Sequence, residues 1–217
     1  MTGIHITAKL ISFISFLPLF FISISIHEFA HAFVANMKGD DTAKNLGRLT
    51  LNPFKHADLF GTYIMPLASL ASGFALIGWA KPVPVNRSKF KDPYKDDALV
   101  SAAGPVSNLI LAIIFLILFT IVFHSSLNSS KYVLNFLWYG VFLNIFLFAF
   151  NLIPIPPLDG SFILFDLFPN AYTAQILKLG LYGSIILMFL IYSPLWSYFM
   201  NFINLILSLL LKIAGFN

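Results

Sequence analysis

From Leu10 to Met37 the chain reads LISFISFLPLFFISISIHEFAHAFVANM. A helix needs about 20 apolar residues to cross the hydrocarbon core of a bilayer, and this run carries no Asp, Glu, Lys or Arg before Glu28. It is too long for the apolar core of a secretion signal and no small-residue cleavage site ends it, so it is expected to remain in the mature protein. Still inside the apolar stretch come His27, Glu28 and His31. A charge near the centre of a membrane helix costs on the order of 2.5 to 3.5 kcal/mol on insertion scales, so ionisable groups kept there are functional by default.

The rest of the chain has the same character. Of its 217 residues 59% are apolar and 10% charged, with a mean hydropathy of +0.86. Soluble chains carry about a quarter charged residues, so a water-facing globule is excluded, as are disordered and collagen-like chains. Four further apolar runs are expected to cross the membrane: Ala98 to Phe123, Tyr132 to Leu152, Ile176 to Tyr192, and Leu195 to Ile213. The last two form a helical hairpin turning at Ser193 and Pro194. Gly61 to Trp79 is long enough to cross but is interrupted by Pro66, Gly73 and Gly78. The expected fold is an all-α polytopic membrane protein with five to six transmembrane helices, a single domain over residues 1–217, with a re-entrant segment at about 61–79.

Charge supports the re-entrant reading. If Gly61 to Trp79 dips in and returns, Lys38, Lys44, Arg48, Lys55, Lys81, Arg87, Lys89, Lys91 and Lys95 share one face, joined by Lys178 and Lys212, with Lys9 and Lys131 opposite. The positive-inside rule makes the crowded face cytoplasmic. The formal charge of +4 sits in loops rather than on a patch interleaved with aromatics, so no nucleic-acid partner is expected. The bilayer is the expected partner instead, and the basic loop from Arg87 to Lys95 could touch anionic lipid.

His27-Glu28-Phe29-Ala30-His31 is an H-E-x-x-H pattern. Four residues apart on a helix, the imidazoles stack one turn above the other and both can reach a single metal ion. Glu28 beside them can take a proton from a water at the metal and later hand it to a leaving amine. The chain has no cysteine, so a third ligand must be His, Asp or Glu. His5, His56 and His124 lie in a terminus and in loops. Asp159 follows the third expected span, in a stretch where Pro154, Pro156 and Pro157 remove backbone donors. Irregular backbone at membrane depth is tolerated only when buried in protein or lining a wet cavity. With a re-entrant Gly61 to Trp79, Asp159 arrives at the depth of the two histidines; with a full crossing it would be separated from them by much of the membrane.

These residues resemble those of the site-2 protease family, intramembrane zinc metalloproteases. Besides the H-E-x-x-H pattern, Asn151-Leu152-Ile153-Pro154-Ile155-Pro156-Pro157-Leu158-Asp159-Gly160 is similar to that family's N-x-x-P-x-P-x-L-D-G signature, whose aspartate is the third zinc ligand. Ala103 to Asn108 resembles a further family element. Gly47 to Pro53 and Gly78 to Asn86 are similar to the family's small bacterial members. No loop is long enough for the peptide-binding PDZ or nucleotide-sensing CBS modules of many relatives, so a minimal core is expected. The resemblance implies one Zn2+ per chain on His27, His31 and Asp159, Glu28 as catalytic base and acid, and a transmembrane protein or peptide as substrate. It also implies a multi-pass protein, expected in a bacterial cell membrane, with its site toward the cytoplasmic half.

Asn108 and Asn151 are candidate contacts for a locally unwound substrate, whose backbone would need new partners. Asn144 reads as a packing residue, and Ala102, Ala103 and Gly104 as small residues admitting close helix approach. Two other readings use the same residues: a metal transporter or channel with His27, His31 and Asp159 as a transit site, and an inactive homologue serving as a scaffold. Internal repeats and paired polar helices, which a transporter would favour, are not found.

Overall fold

The computed structural model describes residues 2–65, 78–125 and 130–216, with side chains from residue 16 onward, Leu181 excepted. All regular structure among these residues is helical. Helix α1 spans Thr2–Met37, and two short turns follow, α2 at Thr42–Asn45 and α3 at Pro53–His56. After a π-helical turn at Leu59–Ile64 and a 3-10 turn at Arg87–Lys89 come α4 (Pro93–His124), α5 (Lys131–Asn151), α6 (Asp159–Leu167), α7 (Ala171–Leu177), α8 (Leu181–Tyr192) and α9 (Leu195–Ile213).

Local signals explain the boundaries. Asp92 caps α4 by accepting from Lys95 N, with Pro93 in the first turn where its missing N–H costs nothing. Ser130 caps α5 through Tyr132 N. Among the described residues four helices are long and apolar enough to cross a membrane: Phe16–Met37, Pro93–His124, Lys131–Asn151 and Leu195–Ile213. The protein is therefore an integral membrane protein. The expected span from Ile176 to Tyr192 is not one continuous helix; α7 and α8 meet at an 84° bend. Gly180, at φ +48°, takes a left-handed conformation that breaks the helix between them.

Helices α1, α4 and α5 form the core. Leu19, Phe20 and Ile24 of α1 pack against Leu111, Ala112 and Phe115 of α4 and Val141 and Ile145 of α5. Helix α9 covers α5 from the other side through Ile203 and Leu207. Trp196 and Phe199, near its start, meet Phe146 and Phe150 edge to face at the end of α5. Phe216, just beyond its end, meets Phe119 and Phe123 at the far end of α4. Helix α9 thus runs antiparallel to α5 through the same thickness.

Residues 66–77 of the expected re-entrant segment lie outside the described residues, but its two ends do not. Trp79 N donates to Gly61 O at 3.0 Å, and Thr62 Oγ1 donates to Trp79 O at 2.8 Å. Ends bonded to each other cannot lie on opposite sides of a bilayer about 30 Å thick. The end of α1 also sits beside the start of α4, with Lys38 Nζ 3.0 Å from Asp96 Oδ1. Both observations agree with a segment that leaves and returns on one face.

Candidate metal centre

Helix α1 presents His27 and His31 on one face, ring centroids 4.6 Å apart and nearly perpendicular. Their Nε2 atoms lie 3.0 Å from each other. Asp159 opens α6, at the end of the proline-rich turn after α5, and reaches both rings: Oδ2 is 3.2 Å from His27 Nε2 and Oδ1 is 3.4 Å from His31 Nε2. Residues more than a hundred positions apart in sequence therefore converge, as their expected depths required.

Hydrogen bonds behind the rings set their protonation. His31 Nδ1 lies 2.7 Å from the carbonyl of Val100, which can only accept, so Nδ1 carries a proton and, in the neutral ring, Nε2 keeps the lone pair. His27 Nδ1 lies 2.7 Å from Asn108 Oδ1. The amide nitrogen of Asn108 donates to Asn144 Oδ1 at 3.0 Å, and that of Asn144 to Gly140 O and Ser23 Oγ, both at 2.9 Å. Asp159 Oδ2 is buried and accepts no hydrogen bond despite its nearness to His27. With both rings neutral, two Nε2 lone pairs and the Asp159 carboxylate face one another, which is the donor set of a cation site.

The spacing fits one tetrahedral ion. Bonds of about 2.0 Å to a single zinc would set its ligand atoms about 3.3 Å apart; the two Nε2 atoms are 3.0 Å apart and each lies 3.2 to 3.4 Å from a different oxygen of the Asp159 carboxylate. Gly104 of α4 is part of this fit: a Cβ there would lie 2.3 Å from His31 Nε2 and 2.6 Å from His27 Cε1. Of the small residues of α4 expected to admit close helix approach, Gly104 does so.

Glu28, next to His27, is 8% exposed and accepts from Val83 N–H at 2.8 Å. Val83 belongs to an extended strap, residues 81–86, lying along α1. Pro82 and Pro84 have no N–H, so Val83 is the sole backbone donor among these three residues. Buried Arg48 holds one end of the strap, its Nη2 donating to Lys81 O at 2.7 Å, and Lys81 N donates to His56 O. Buried Asp40 holds the other, accepting from Asn86 N at 2.6 Å. Burial alone would raise the Asp40 pKa, but the Asn86 N–H, the Thr42 hydroxyl and N–H, and Lys89 together hold the carboxyl below the usual carboxylate range.

Of the expected substrate contacts, Asn108 is fully buried with its amide bonded to His27, Asn144 and Ser23. Asn151 ends α5, its amide nitrogen donating to Leu147 O at 3.0 Å. Asn144, expected as a packing residue, bonds across to Asn108 and Ser23; the sequence reading held no expectation for its link to His27, for Ser23, Asp40 or the Val83 N–H, and took Arg48 as a loop cation. A signal for Asn144 was present, since a carboxamide inside an apolar span carries the same kind of desolvation cost as His27.

The profile of Peptidase family M50 matches residues 15–130 and 119–191. YwhC of Bacillus subtilis (strain 168) is 47% identical over 181 residues, covering 82% of this chain and 80% of that protein. Rip2 of Mycolicibacterium smegmatis is 32% identical over 142 residues, 64% of this chain and 51% of Rip2, so the match spans about half of that relative. MJ0611 of Methanocaldococcus jannaschii is 33% identical over 73 residues, 32% of this chain. All three are named as candidate zinc metalloproteases. No solved structure matches the chain. With both the H-E-x-x-H helix and the Asp159 turn inside the matched residues, the chain belongs to peptidase family M50.

Proposed function

We propose that the protein is a zinc-dependent endopeptidase that hydrolyses peptide bonds within or near transmembrane segments of other proteins. The observation that carries this reading is the spacing of His27 Nε2, His31 Nε2 and Asp159, which suits one tetrahedral ion, with Glu28 beside it. Zinc, when bound, polarises a scissile carbonyl and acidifies a water. Glu28 accepts the proton of the attacking water and delivers it to the leaving amine. The Val83 N–H fixes one carboxylate oxygen of Glu28, leaving the other for that proton. Asn108 and Val100 hold the proton of each neutral ring on Nδ1, so that Nε2 faces the centre as the ligand atom.

A substrate helix hides its backbone groups in its own hydrogen bonds and must unwind to be cut. Asn151 is partly buried, and its carboxamide oxygen has no hydrogen bond among the described residues; it is the side chain proposed to meet the unwound segment. The cation-rich loops put the strap on the cytoplasmic face, so cleavage occurs in the cytoplasmic half of the membrane.

The test separates metal binding from chemistry. Purified Glu28→Gln retains one zinc per chain and loses hydrolysis of a membrane-helix reporter that the wild type cleaves, whereas Asp159→Ala loses the zinc. Cleavage persisting in Glu28→Gln removes its assigned role, and equal zinc in Asp159→Ala removes Asp159 from the ligand set.

A further inference from the structure

We propose that Asn144, in the middle of α5, is a positioning residue for the metal site: acting through Asn108, it fixes which nitrogen of His27 carries the proton, leaving Nε2 free for the ion. This rests on the reading of His27, His31 and Asp159 as the zinc site. His31 needs no such device, because the Val100 carbonyl accepts and cannot donate. The group behind His27 is a carboxamide, which can turn either its oxygen or its NH2 toward the ring. The oxygen requires a proton on Nδ1 and leaves Nε2 able to ligate. The NH2 requires the reverse, with Nε2 protonated and unable to bind a cation.

Asn144 decides between the two. Its own NH2 is committed to Gly140 O, a pure acceptor, and to Ser23 Oγ, both at 2.9 Å. Its oxygen is thereby turned to Asn108, where it accepts from Nδ2 at 3.0 Å. The remaining partner of Asn108 Nδ2, Ser23 O, is at 3.4 Å, too long to hold the amide unaided. Asn108 and Asn144 are both fully buried, so no bulk water can replace a lost partner. Without the Asn144 oxygen, Asn108 turns over and His27 adopts the ring form that does not ligate. Losing such outer partners of a metal-bound histidine lowers metal affinity about 10- to 100-fold.

The experiment measures zinc affinity by competition with a chromophoric chelator, and the visible spectrum of the cobalt-substituted protein, on the full chain in detergent. Asn144→Leu weakens zinc about 10- to 100-fold and alters the cobalt spectrum. Val141→Ala, a fully buried core change on the same helix, lowers the melting temperature with affinity and spectrum unchanged. In an Asn108→Asp background the side chain behind His27 has oxygens only, so adding Asn144→Leu weakens zinc no further. If Asn144→Leu does not fold, Asn144→Ser, too short to reach Asn108, shows the same weakening. The proposal is overturned if the Asn144 variants bind zinc like the wild type, if Val141→Ala weakens it equally, or if Asn144→Leu costs as much in the Asn108→Asp background. A wild type that takes up no zinc would instead overturn the metal-site reading itself.

Discussion

The histidine side of the centre and the glutamate side are held by different kinds of structure. His27 and His31 are braced from within the bundle, by a carbonyl of α4 and by side chains of α4 and α5 that are inaccessible to water. Glu28 is held from outside it, by one N–H of a strap with no regular structure of its own, fastened to Arg48 and Asp40. Ligand atoms must keep fixed distances, which close-packed helices provide. In the proposed reaction Glu28 carries a proton and must exchange its partner, and a strap tied at two points can yield without disturbing the bundle.

That contrast predicts that changes on the histidine side weaken or abolish metal binding and that changes on the strap side spare it. The largest effect is expected for Gly104→Ala. The added methyl cannot coexist with the His31 ring at 2.3 Å, while alanine in a helix interior is favoured over glycine by about 0.5 to 1 kcal/mol. Zinc content should fall to background while circular dichroism reports full helix. Full zinc content would mean that α4 can retreat, and that the bundle is looser than its packing indicates.

An intermediate effect is expected on the other side. Arg48→Met keeps the buried stem but loses the donor to Lys81 O, which frees the strap and shifts the N–H on Glu28. Misplacing a reacting group by about 1 Å costs up to about a hundredfold in rate, so kcat on a membrane-helix reporter should drop about ten- to a hundredfold with zinc per chain unchanged. Loss of zinc together with rate would erase the distinction between the two sides.

The smallest effect concerns the junction between the two. Arg87, at the end of the strap, contacts Asp97 of α4 and Asp166 of α6, the helix that begins with Asp159. Burial, then the nearby Asp97 carboxylate, push the Asp166 carboxyl up to about 7 from its ordinary 3.8, against the pull of Arg87. The native protein therefore holds a proton there between pH of about 4 and 7 that the unfolded chain has released, so this group's contribution to stability declines as pH rises through that window. Asn cannot titrate. The melting temperature of Asp166→Asn relative to wild type should climb from pH 4 to pH 7, and a flat difference would show that Arg87 keeps Asp166 ionised throughout.

Much of the site was legible in the sequence because costly groups announce themselves in an apolar context. His27, Glu28 and His31 stand out within their span, and Asp159 behind its prolines, while the distribution of lysines and arginines set the topology. What stayed hidden was of two kinds. The Val83 N–H is a backbone group and is written in no side-chain letter, although the prolines on either side of Val83 mark it as a lone donor. The relay through Asn144 depends on which face of α5 meets α4, a packing outcome that a span apolar all round does not encode. The bend at Gly180 was visible as a single glycine and overlooked, because the apolar run continues across it.

The pairing of Trp79 with Gly61 and Thr62 ties position 79 back to position 61. The strap that begins two residues later at Lys81 therefore starts from a fixed anchor, so the register that brings the Val83 N–H to Glu28 is set before the strap begins.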